Sequence, residues 1–468
     1  MASGTDPAAL SATALLAAYR ARECSPVEVV EAALARIDAR DAELNAFCLV
    51  DADRALADAR ASERRYLDGA PAGLLDGVPV GVKDVFLTAG WPTLRGSRTI
   101  DPAGPWDHDA PVTAALRRNG AVLVGKTTTP ELGWKAVTDS PLHGPTRSPW
   151  DPTCTPGGSS GGTAAAIAAG MIALGPGTDG GGSIRIPCSF CGLVGLKPTY
   201  GRVPLWPASP FGALSHAGPM ARSVEDCALL LAVLAEPDPC DPTTLPPVGH
   251  DHWDGLDAGI DGLRVAYSPD LGHVAVDPEM RAVVEAAVRR VADDLGVGIE
   301  EVDPGFTDPT EAWAVLWSAG AANALRDLDP ARREVLDPGL RRSVEEGEGY
   351  SALEYLAAVA RRRELGITMG RFHATYDLLL TPSVGVVPFG VGRDVPEGWP
   401  SGRWETWAGL SLPFNLTQQP AATVPCGTTD GGLPVGLQVV GPRHADALVL
   451  RAARAIEEAS TRPGPPVP

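Results

Sequence analysis

Three separate segments of this sequence carry side chains that could act together as a nucleophile and its base. Lys83 follows the apolar run VPVGV, Ser159 and Ser160 lie between glycines in TPGGSSGG, and Ser183 follows a glycine run in GPGTDGGGSIRIP (175–187). A serine hydroxyl is a weak nucleophile until a neighbouring base removes its proton. A lysine can be that base where burial disfavours its ammonium form and so lowers its pKa.

The segment 175–187 is rich enough in glycine to predict an open loop. Glycine loses more backbone entropy on folding than any other residue, which disfavours it inside helices and strands. We therefore expect neither element here. A match to the dinucleotide-binding pattern G-x-G-x-x-G at 175–180 fails, because Pro187 stands where a helix should continue and no acidic residue follows about twenty positions on.

Two further motif matches fail on their context. GAVLVGKT (120–127) fits the P-loop pattern, but its middle residues Ala-Val-Leu-Val predict a strand rather than a phosphate-binding loop. GGSSG (157–161) fits the nucleophile elbow of α/β-hydrolases, yet SPWDPTCTP before it cannot form the strand that an elbow requires. Both matches are interpreted as accidental.

Composition and charge narrow the class of protein. The chain has 468 residues and a formal net charge of −19, and it lacks the clustered Lys and Arg of a nucleic-acid-binding surface. No apolar run approaches the length of a membrane span, and MASGTDPAAL has no signal-peptide pattern. We expect a cytoplasmic protein without nucleic-acid or membrane partners. The sequence leaves open whether the chain forms a homodimer. Cys188 and Cys191 are interpreted as buried thiols rather than metal ligands or a redox pair.

Hydrophobic periodicity predicts an α/β protein built in three layers. Residues 9–66 show helical spacing, whereas GVPVGVK and AVLVGKT are short buried strands. Helices that alternate with such strands predict a central mixed, mostly parallel β-sheet covered by helices on both faces. We expect a single domain over residues 1–468. Its parts are N-terminal helices at about 9–66, a core with the reactive segments at about 70–235, a mostly helical region at about 305–415, and a final strand and helix at about 420–460.

The order of these segments resembles the amidase signature family. GVPVGVKD, TPGGSSGGTAAA and GTDGGGSIRIPCSFCGLVGLKPTYGRVP follow one another as in that family, and the 24 positions from Ser159 to Ser183 match its spacing. The likeness continues through GPMARSVEDCALLL and PFNLTQQPAATVPCGTTDGGLPVGLQVVG, and covers the chain from about residue 10 to 458. It implies the amidase signature fold and the hydrolysis of a carboxylic acid amide to the acid and ammonia or an amine.

The resemblance also implies a role for each reactive residue. Ser183 is the nucleophile, and Ser159, whose peptide bond is cis in the family, relays a proton between Ser183 and the base Lys83. Water resolves the resulting acyl-enzyme, and neither a metal nor an organic cofactor is required. The oxyanion of the tetrahedral intermediate would be bound by the backbone N–H groups of Gly180, Gly181, Gly182 and Ser183.

Neighbouring residues have supporting roles in this interpretation. Ser160 is a structural hydrogen-bond donor rather than a reactant, and Asp179 and Arg185 are a scaffold for the loop rather than substrate contacts. The chain departs from the family pattern without touching the three reactive positions, so the departures affect the expected substrate rather than the reaction. They are Gly180, where a larger residue is common, Ser148, where asparagine is common, and Thr163, where a second small residue is usual.

A competing interpretation within the family is the A subunit of the glutamyl-tRNA(Gln) amidotransferase, the glutaminase component of a multi-subunit complex. That protein typically has a threonine before the paired glycines and a glutamine after the arginine, whereas this chain reads TDGGGSIRIP. We therefore expect a free-standing amidase with a small-molecule amide substrate. An inactive scaffold is disfavoured because all three reactive side chains are present.

The sequence leaves the amide open among aliphatic, aryl, anilide, urea-type and cyclic imide substrates. We expect the acyl pocket within 311–375 and 395–415, whose tryptophans would suit an aromatic or aliphatic acyl group. Packing in the core is the alternative role for these side chains. They are Trp313, Trp317, Trp399, Trp404 and Trp407.

Overall fold

The computed structural model describes residues 7–247 and 253–460, so the start of MASGTDPAAL lies outside the described residues. Their strands form one sheet of eleven strands and one of two. In chain order the strands are β1 Phe47–Val50, β2 Pro79–Lys83, β3 Val122–Thr127, β4 Asp139–Ser140, β5 Gly144–Pro145, β6 Leu174–Asp179, β7 Val194–Lys197, β8 His216–Ala221, β9 Val265–Tyr267, β10 Ile299–Glu301, β11 Leu378–Pro382, β12 Ala421–Thr428 and β13 Pro434–Val440.

Helices of very different length connect these strands. The longest has 24 residues and lies in the second half of the chain. In chain order the α-helices of the described ranges are α1 Ala12–Ala21, α2 Pro26–Leu44, α3 Ala52–Leu67, α4 Pro111–Arg118, α5 Gly161–Ala168, α6 Arg185–Cys191, α7 Val224–Leu234, α8 Pro278–Leu295, α9 Thr310–Leu325, α10 Pro330–Arg333, α11 Pro338–Gly349, α12 Ala352–Thr375, α13 Leu412–Leu416 and α14 Asp446–Ala459.

The large sheet is mixed, with the order β1-β3-β2-β6-β8-β7-β12-β13-β11-β9-β10. The pairs β3–β2, β2–β6, β11–β9 and β9–β10 are parallel, and the other pairs in this part of the chain are antiparallel. The predicted α/β class and mixed sheet are confirmed, but the expectation of mostly parallel pairing is wrong. Short connections such as the one from β12 to β13 can join only antiparallel neighbours, since a parallel pair needs a long crossover.

Helices cover both faces of this sheet. α14 packs against both α7 and α8, and α8 and α14 also contact β12. α5 packs against α6, and α6 contacts the same strand. Two separate helix groups on one strand place the sheet between them, as the three-layer prediction expects.

Local sequence signals set the N-terminal helices. α1 begins after Ser11, whose hydroxyl accepts a backbone N–H, and α2 begins after Ser25, which forms a capping box with Glu28. Asn45, in the left-handed conformation, ends α2, and the chain then pairs β1 with β3. The expectation of helices throughout 9–66 is therefore wrong at β1.

The end of β2 and the loop after β6 carry two of the three candidate reactive residues, Lys83 and Ser183. β2 ends at Lys83, and β6 runs to Asp179 before a short loop leads into α6 at Arg185. The expectation that 175–187 forms neither helix nor strand is therefore wrong outside residues 180–184.

The glycines of β6 occupy a strand because neighbouring groups approach the backbone closely. A Cβ at Gly175 would lie 2.8 Å from the carbonyl oxygen of Gly81, and one at Gly177 would lie 2.7 Å from Met220 Sδ. The close packing of β6 against its neighbours β2 and β8 thus outweighs the entropic cost of glycine in a strand.

The C-terminal elements differ from the prediction in two respects. Of the region predicted to be mostly helical, about 305–415, residues 310–375 carry helices α9 to α12, whereas 376–411 hold β11 and mostly irregular chain. The predicted final strand is two strands, β12 and β13. TDGGL joins them, with Gly432 in the left-handed conformation that such a tight turn favours. The proline and glycine in AATVPCGT weaken the strand pattern of β12, which is why the sequence did not indicate it.

Several motif interpretations are confirmed by these elements. VLVGKT is strand β3, so the P-loop match is accidental. Cys188 and Cys191 are buried free thiols in α6. Over the ranges that the structure describes, no helix combines the length and apolar character needed to span a membrane.

Candidate active site

Lys83 lies at the end of β2 with its side chain fully buried. Its Nζ lies 2.7 Å from Ser159 Oγ, 2.9 Å from Ser160 Oγ and 2.8 Å from Thr178 Oγ1. Burial lowers the pKa of the amine well below 10.5, and the charge of Asp179 opposes this shift only in part. The two predicted residues Lys83 and Ser159 are therefore in hydrogen-bond contact.

Lys83 differs from the other lysines in its surroundings. Lys126 and Lys135 each have a carboxylate partner, and Lys197 contacts backbone carbonyl oxygens. The hydrogen-bond partners of Lys83 in the described chain are all hydroxyl groups. The sequence contains only four lysines, and all are buried: Lys83, Lys126, Lys135 and Lys197.

The hydroxyl of Ser160 is fully engaged within the protein. It accepts hydrogen bonds from Lys83 Nζ and from the backbone N–H of Thr178, and donates to the Thr178 carbonyl oxygen at 3.3 Å. This arrangement agrees with the structural role expected for Ser160. Thr178, whose hydroxyl also contacts Lys83, was missed, because one threonine within a strand carries no signal in the sequence.

Ser159 and Ser183 line the same cavity, and both are almost completely buried. The Gly158–Ser159 peptide bond is cis, as the family resemblance implies. The backbone N–H of Ser160 donates to the carbonyl oxygen of Ser183 at 3.2 Å, which joins the two serine segments. The structure thus brings Lys83, Ser159 and Ser183 together from three distant parts of the chain.

Asp179 and Arg185 form a fully buried ion pair. Arg185 donates to the Asp179 carboxylate from Nη2 at 2.9 Å and from Nε at 3.0 Å. Burial alone would raise the pKa of Asp179, but the charge and hydrogen bonds of Arg185 hold it below 3.8. Neither residue lines the cavity, which agrees with the expected scaffold role. The other acceptors of Arg185 are the Ser411 carbonyl oxygen, Asn415 Oδ1 and Gln438 Oε1.

The backbone N–H groups predicted to bind an oxyanion are not equivalent. Gly182 donates its N–H to Asp179 Oδ1 at 2.7 Å, so the prediction that it is available to an oxyanion is wrong. The N–H groups of Gly180, Gly181 and Ser183 have no hydrogen-bond acceptor in the described part of the chain. Gly182 has φ of 117°, a conformation that glycine adopts readily, and this turn precedes Ser183.

Two indole rings explain the third glycine, Gly180. A Cβ at Gly180 would lie 2.6 Å from Trp317 Cζ3, and one at Gly181 would lie 2.8 Å from Trp313 Cζ2. Trp313 Nε1 also donates to the Gly180 carbonyl oxygen at 2.9 Å. The departure from the family pattern at Gly180 therefore fits the bulk of the tryptophans in α9.

A cavity of about 460 Å³ contains Ser159 and Ser183 in its lining. Much of its wall is apolar, and it includes Trp317 stacked on Phe211 with ring centroids 3.6 Å apart. Within the described chain, the lining residues fall mainly in 85–100, 132–133, 205–215 and 317–328.

Of the two ranges predicted to hold the acyl pocket, 311–375 contributes residues within 317–328 to the lining of this cavity, and 395–415 contributes none. Trp404, in the second range, packs edge-on against Trp313 and Trp317 at centroid distances of 5.2 and 6.2 Å. Trp407 is fully buried. The segment 205–215 takes the place of 395–415 in the wall, and only tertiary packing brings it there.

One group of described residues has the donor atoms for a metal ion. Cys48, Asp84 and His143 place their ligand atoms within 4.8 Å of one another. Lys126 Nζ lies 3.3 Å from Asp84 Oδ1, so the carboxylate already has a cationic partner. None of the three lines the cavity, and we assign them no part in the chemistry.

Comparisons with known proteins identify the family of this chain. The Amidase family model matches residues 28–450. An acylamidase of Rhodococcus erythropolis is 37% identical, with 96% of this chain and 95% of that protein covered. The glutamyl-tRNA(Gln) amidotransferase of Myxococcus xanthus (strain DK1622) has an A subunit that is 38% identical, with 95% of this chain and 96% of that protein covered.

A solved structure is also similar to this chain over nearly its whole length. A bacterial aryl acylamidase of the amidase signature family has a TM-score of 0.89 and 32% identity, with 96% of each chain covered. The chain belongs to the amidase signature family. It is accordingly an enzyme of the class that hydrolyses carbon–nitrogen amide bonds.

We expect Gly180→Ala to lower kcat/KM about ten- to hundredfold, because the new methyl group would collide with Trp317 and displace the loop that carries Ser183. Gly180→Ala combined with Trp317→Leu should recover part of the loss, since leucine leaves room for the methyl group. Gly370→Ala in α12 is the matched control, because no atom lies within 4 Å of its added Cβ. Unchanged kcat/KM in Gly180→Ala would contradict the steric explanation.

Proposed function

We propose that this protein is a free-standing amidase that converts a carboxylic acid amide to the acid and ammonia or an amine, with Lys83, Ser159 and Ser183 as its catalytic residues. The observation that carries the proposal is the fully buried Lys83 amine, which contacts three hydroxyl groups and has no ion-pair partner among the described residues. Such surroundings favour the neutral amine, which is the form that can accept a proton.

The hydrogen bonds around Lys83 limit which hydroxyl group can donate a proton to its amine. A neutral lysine amine has two N–H donors and one lone pair, and three hydroxyl oxygens surround Lys83 Nζ. The proton of Ser160 points to the Thr178 carbonyl oxygen, so Ser160 accepts from Lys83. One of the two remaining hydroxyls, that of Ser159 or of Thr178, can then donate its proton to the lone pair while the other accepts the second N–H. The family resemblance assigns the donating role to Ser159.

The acylation step begins at Ser183. Lys83 takes the proton of Ser159, and Ser159 takes the proton of Ser183 as Ser183 Oγ forms a bond to the amide carbon. The carbonyl oxygen becomes an oxyanion, for which the N–H groups of Gly180, Gly181 and Ser183 are available. The intermediate collapses when the carbon–nitrogen bond breaks, and the leaving nitrogen receives the proton from Lys83 through Ser159. The products of this step are ammonia or an amine and the Ser183 ester.

Deacylation repeats the same transfers with water. A water molecule attacks the ester carbon and gives one proton to the relay, which returns a proton to Ser183 Oγ as the ester bond breaks. The acid leaves and the three side chains regain their starting protonation states. No other reactant is needed for this balance.

The cavity beside Ser183 supports an apolar acyl or aryl group in the substrate. Phe211 and Trp317 form a stacked aromatic wall, and aromatic surfaces of this kind bind apolar groups well. The similarity to an acylamidase and to an aryl acylamidase supports the same substrate class.

We expect Ser183→Ala to lower kcat at least about 10³-fold and to abolish labelling by a serine-directed fluorophosphonate, because no acyl-enzyme can form. The measurement is amine or ammonia release from a panel of primary amides and anilides, with the labelled peptide identified by mass spectrometry. Ser189→Ala is a control, since Ser189 is buried in α6 outside the cavity. Amide hydrolysis that survives in Ser183→Ala would refute the mechanism.

The pH dependence of kcat/KM tests the role of Lys83. Below its pKa, Lys83 is an ammonium ion that cannot accept a proton, so activity should rise with pH as the amine becomes neutral. Because burial lowers this pKa well below 10.5, the rise should be complete well before that pH. Lys83→Arg keeps the charge and should be inactive, and Lys83→Ala should lose the rising limb from any residual activity. An identical rise of activity with pH in Lys83→Ala would show that the titrating group is not Lys83.

The A subunit of a glutamyl-tRNA(Gln) amidotransferase is the second candidate, favoured by the 38% identity to the Myxococcus xanthus protein. The two functions predict different behaviour of the purified chain. A free-standing amidase should hydrolyse simple amides alone and should not co-purify with other subunits from its own cells. A glutaminase component should not hydrolyse simple amides alone and should co-purify with other subunits. Activity that appears only with co-expressed partners would replace the first proposal with the second.

A further inference from the structure

Arg95 is the one basic residue of the described chain that lines the cavity beside Ser183. Most of the surrounding wall is apolar, with Phe86, Ile100, Leu132 and Trp317 among its members. Arg95 is mostly removed from solvent, which lowers the pKa of its guanidinium. A buried cation in an apolar pocket costs free energy unless an anion or hydrogen-bond acceptors compensate it.

The protein supplies Arg95 with little compensation. Its guanidinium forms no hydrogen bond and no ion pair within the ranges that the structure describes, and Asp84 is the carboxylate whose charge acts on it. Asp84 is itself the ion-pair partner of Lys126, with Nζ 3.3 Å from Oδ1. Burial lowers the pKa of the nearby His143, which favours its neutral form. Arg95 and Lys126 are therefore two cations beside one carboxylate, that of Asp84, and these three side chains together keep an excess positive charge.

Asp327, the acidic residue in the cavity lining, does not balance this charge. Its side chain is exposed and lies 3.2 Å from the guanidinium of Arg326. The cavity thus has a basic residue in a largely apolar wall and an acidic residue that already has its own partner.

The backbone at Arg95 is also unusual. Its φ is 52°, in the left-handed region that arginine seldom adopts, and its carbonyl oxygen accepts the N–H of Leu132 at 2.7 Å. A strained conformation of this kind persists only where the surroundings enforce it, and such positions concentrate at functional sites. The conformation is therefore an observation, independent of the charges, that supports a function for this position.

We propose that Arg95 binds a carboxylate of the substrate, so that the enzyme acts on amides that carry this anion at the far end of an apolar segment. A carboxylate supplies the missing negative charge and matches the planar guanidinium with two parallel hydrogen bonds. The apolar segment would lie along the aromatic and aliphatic wall between Arg95 and Ser183. This inference rests on the proposed function, because it names the substrate of the same site.

The test compares matched amides on wild-type enzyme and two arginine variants. One substrate series is ω-carboxyalkanamides of increasing length, each paired with the unsubstituted alkanamide of equal length; a second series places the carboxylate on the leaving amine. We expect wild type to prefer the carboxylate member of at least one series, and Arg95→Gln to reduce that ratio of kcat/KM values about ten- to hundredfold, as loss of a charge-assisted contact predicts. Arg95→Lys should retain part of the preference.

Arg98→Gln is the matched control, since Arg98 is exposed, lies three positions on and does not line the cavity. It should show the wild-type ratio. Equal ratios in wild type and Arg95→Gln for both series would overturn the inference, while fluorophosphonate labelling of Ser183 in the same samples would show that the proposed mechanism still holds.

A binding measurement keeps the inference testable without turnover. Ser183→Ala protein is titrated by calorimetry with the preferred carboxylate amide and with the neutral amide of equal length. If wild-type enzyme turns over none of the amides, every carboxylate amide is titrated together with its neutral partner. We expect tighter binding of the carboxylate member, and loss of that difference when Arg95→Gln is added. No difference in affinity in the presence of Arg95 would refute anion binding at this position, whether or not the enzyme hydrolyses amides.

Discussion

The buried ion pair of Asp179 and Arg185 is the interaction on which the rest of the site depends. It fixes the end of β6 to the start of α6, and Arg185 extends the contact to Ser411, Asn415 and Gln438 in distant segments. The pair also limits the electrostatic effect of the Asp179 carboxylate on Lys83. Asp179 is the carboxylate that opposes deprotonation of Lys83, and the neighbouring guanidinium offsets its negative charge. One contact therefore both fixes the position of the glycine loop, residues 180–184, and favours the neutral form of the Lys83 amine.

The glycine loop is shaped from the outside as much as by its own sequence. Gly180 and Gly181 lie against the indoles of Trp317 and Trp313, and Gly182 gives its N–H to Asp179. The backbone N–H groups that stay available are those of the residues on either side of Gly182. The position of the loop is thus determined jointly by an ion pair at Asp179, just before it in the sequence, and by two aromatic rings from α9.

The sequence predicts which candidate residues lie together better than it predicts their surroundings. Lys83, Ser159 and Ser183 lie in short motifs whose order and spacing are specific, and the structure places them together. The use of the Gly182 N–H by Asp179 depends on a side-chain contact that no local pattern encodes. The contribution of 205–215 to the cavity has the same cause, because it arises from tertiary packing. The sheet was predicted in class but not in strand direction, since short strands indicate their existence and not their partners.

The burial of every lysine has a chemical consequence under the proposed mechanism, in which Ser183 forms an ester. Primary amines intercept activated acyl groups, and a surface rich in lysine would offer many acceptors to an ester or to a reactive substrate. Here the positive charges on the surface belong to arginine, whose guanidinium stays protonated and is a poor acyl acceptor. The protein is therefore poorly disposed to acylate itself, and amine-directed crosslinkers or labels will find few side chains on the folded chain to react with.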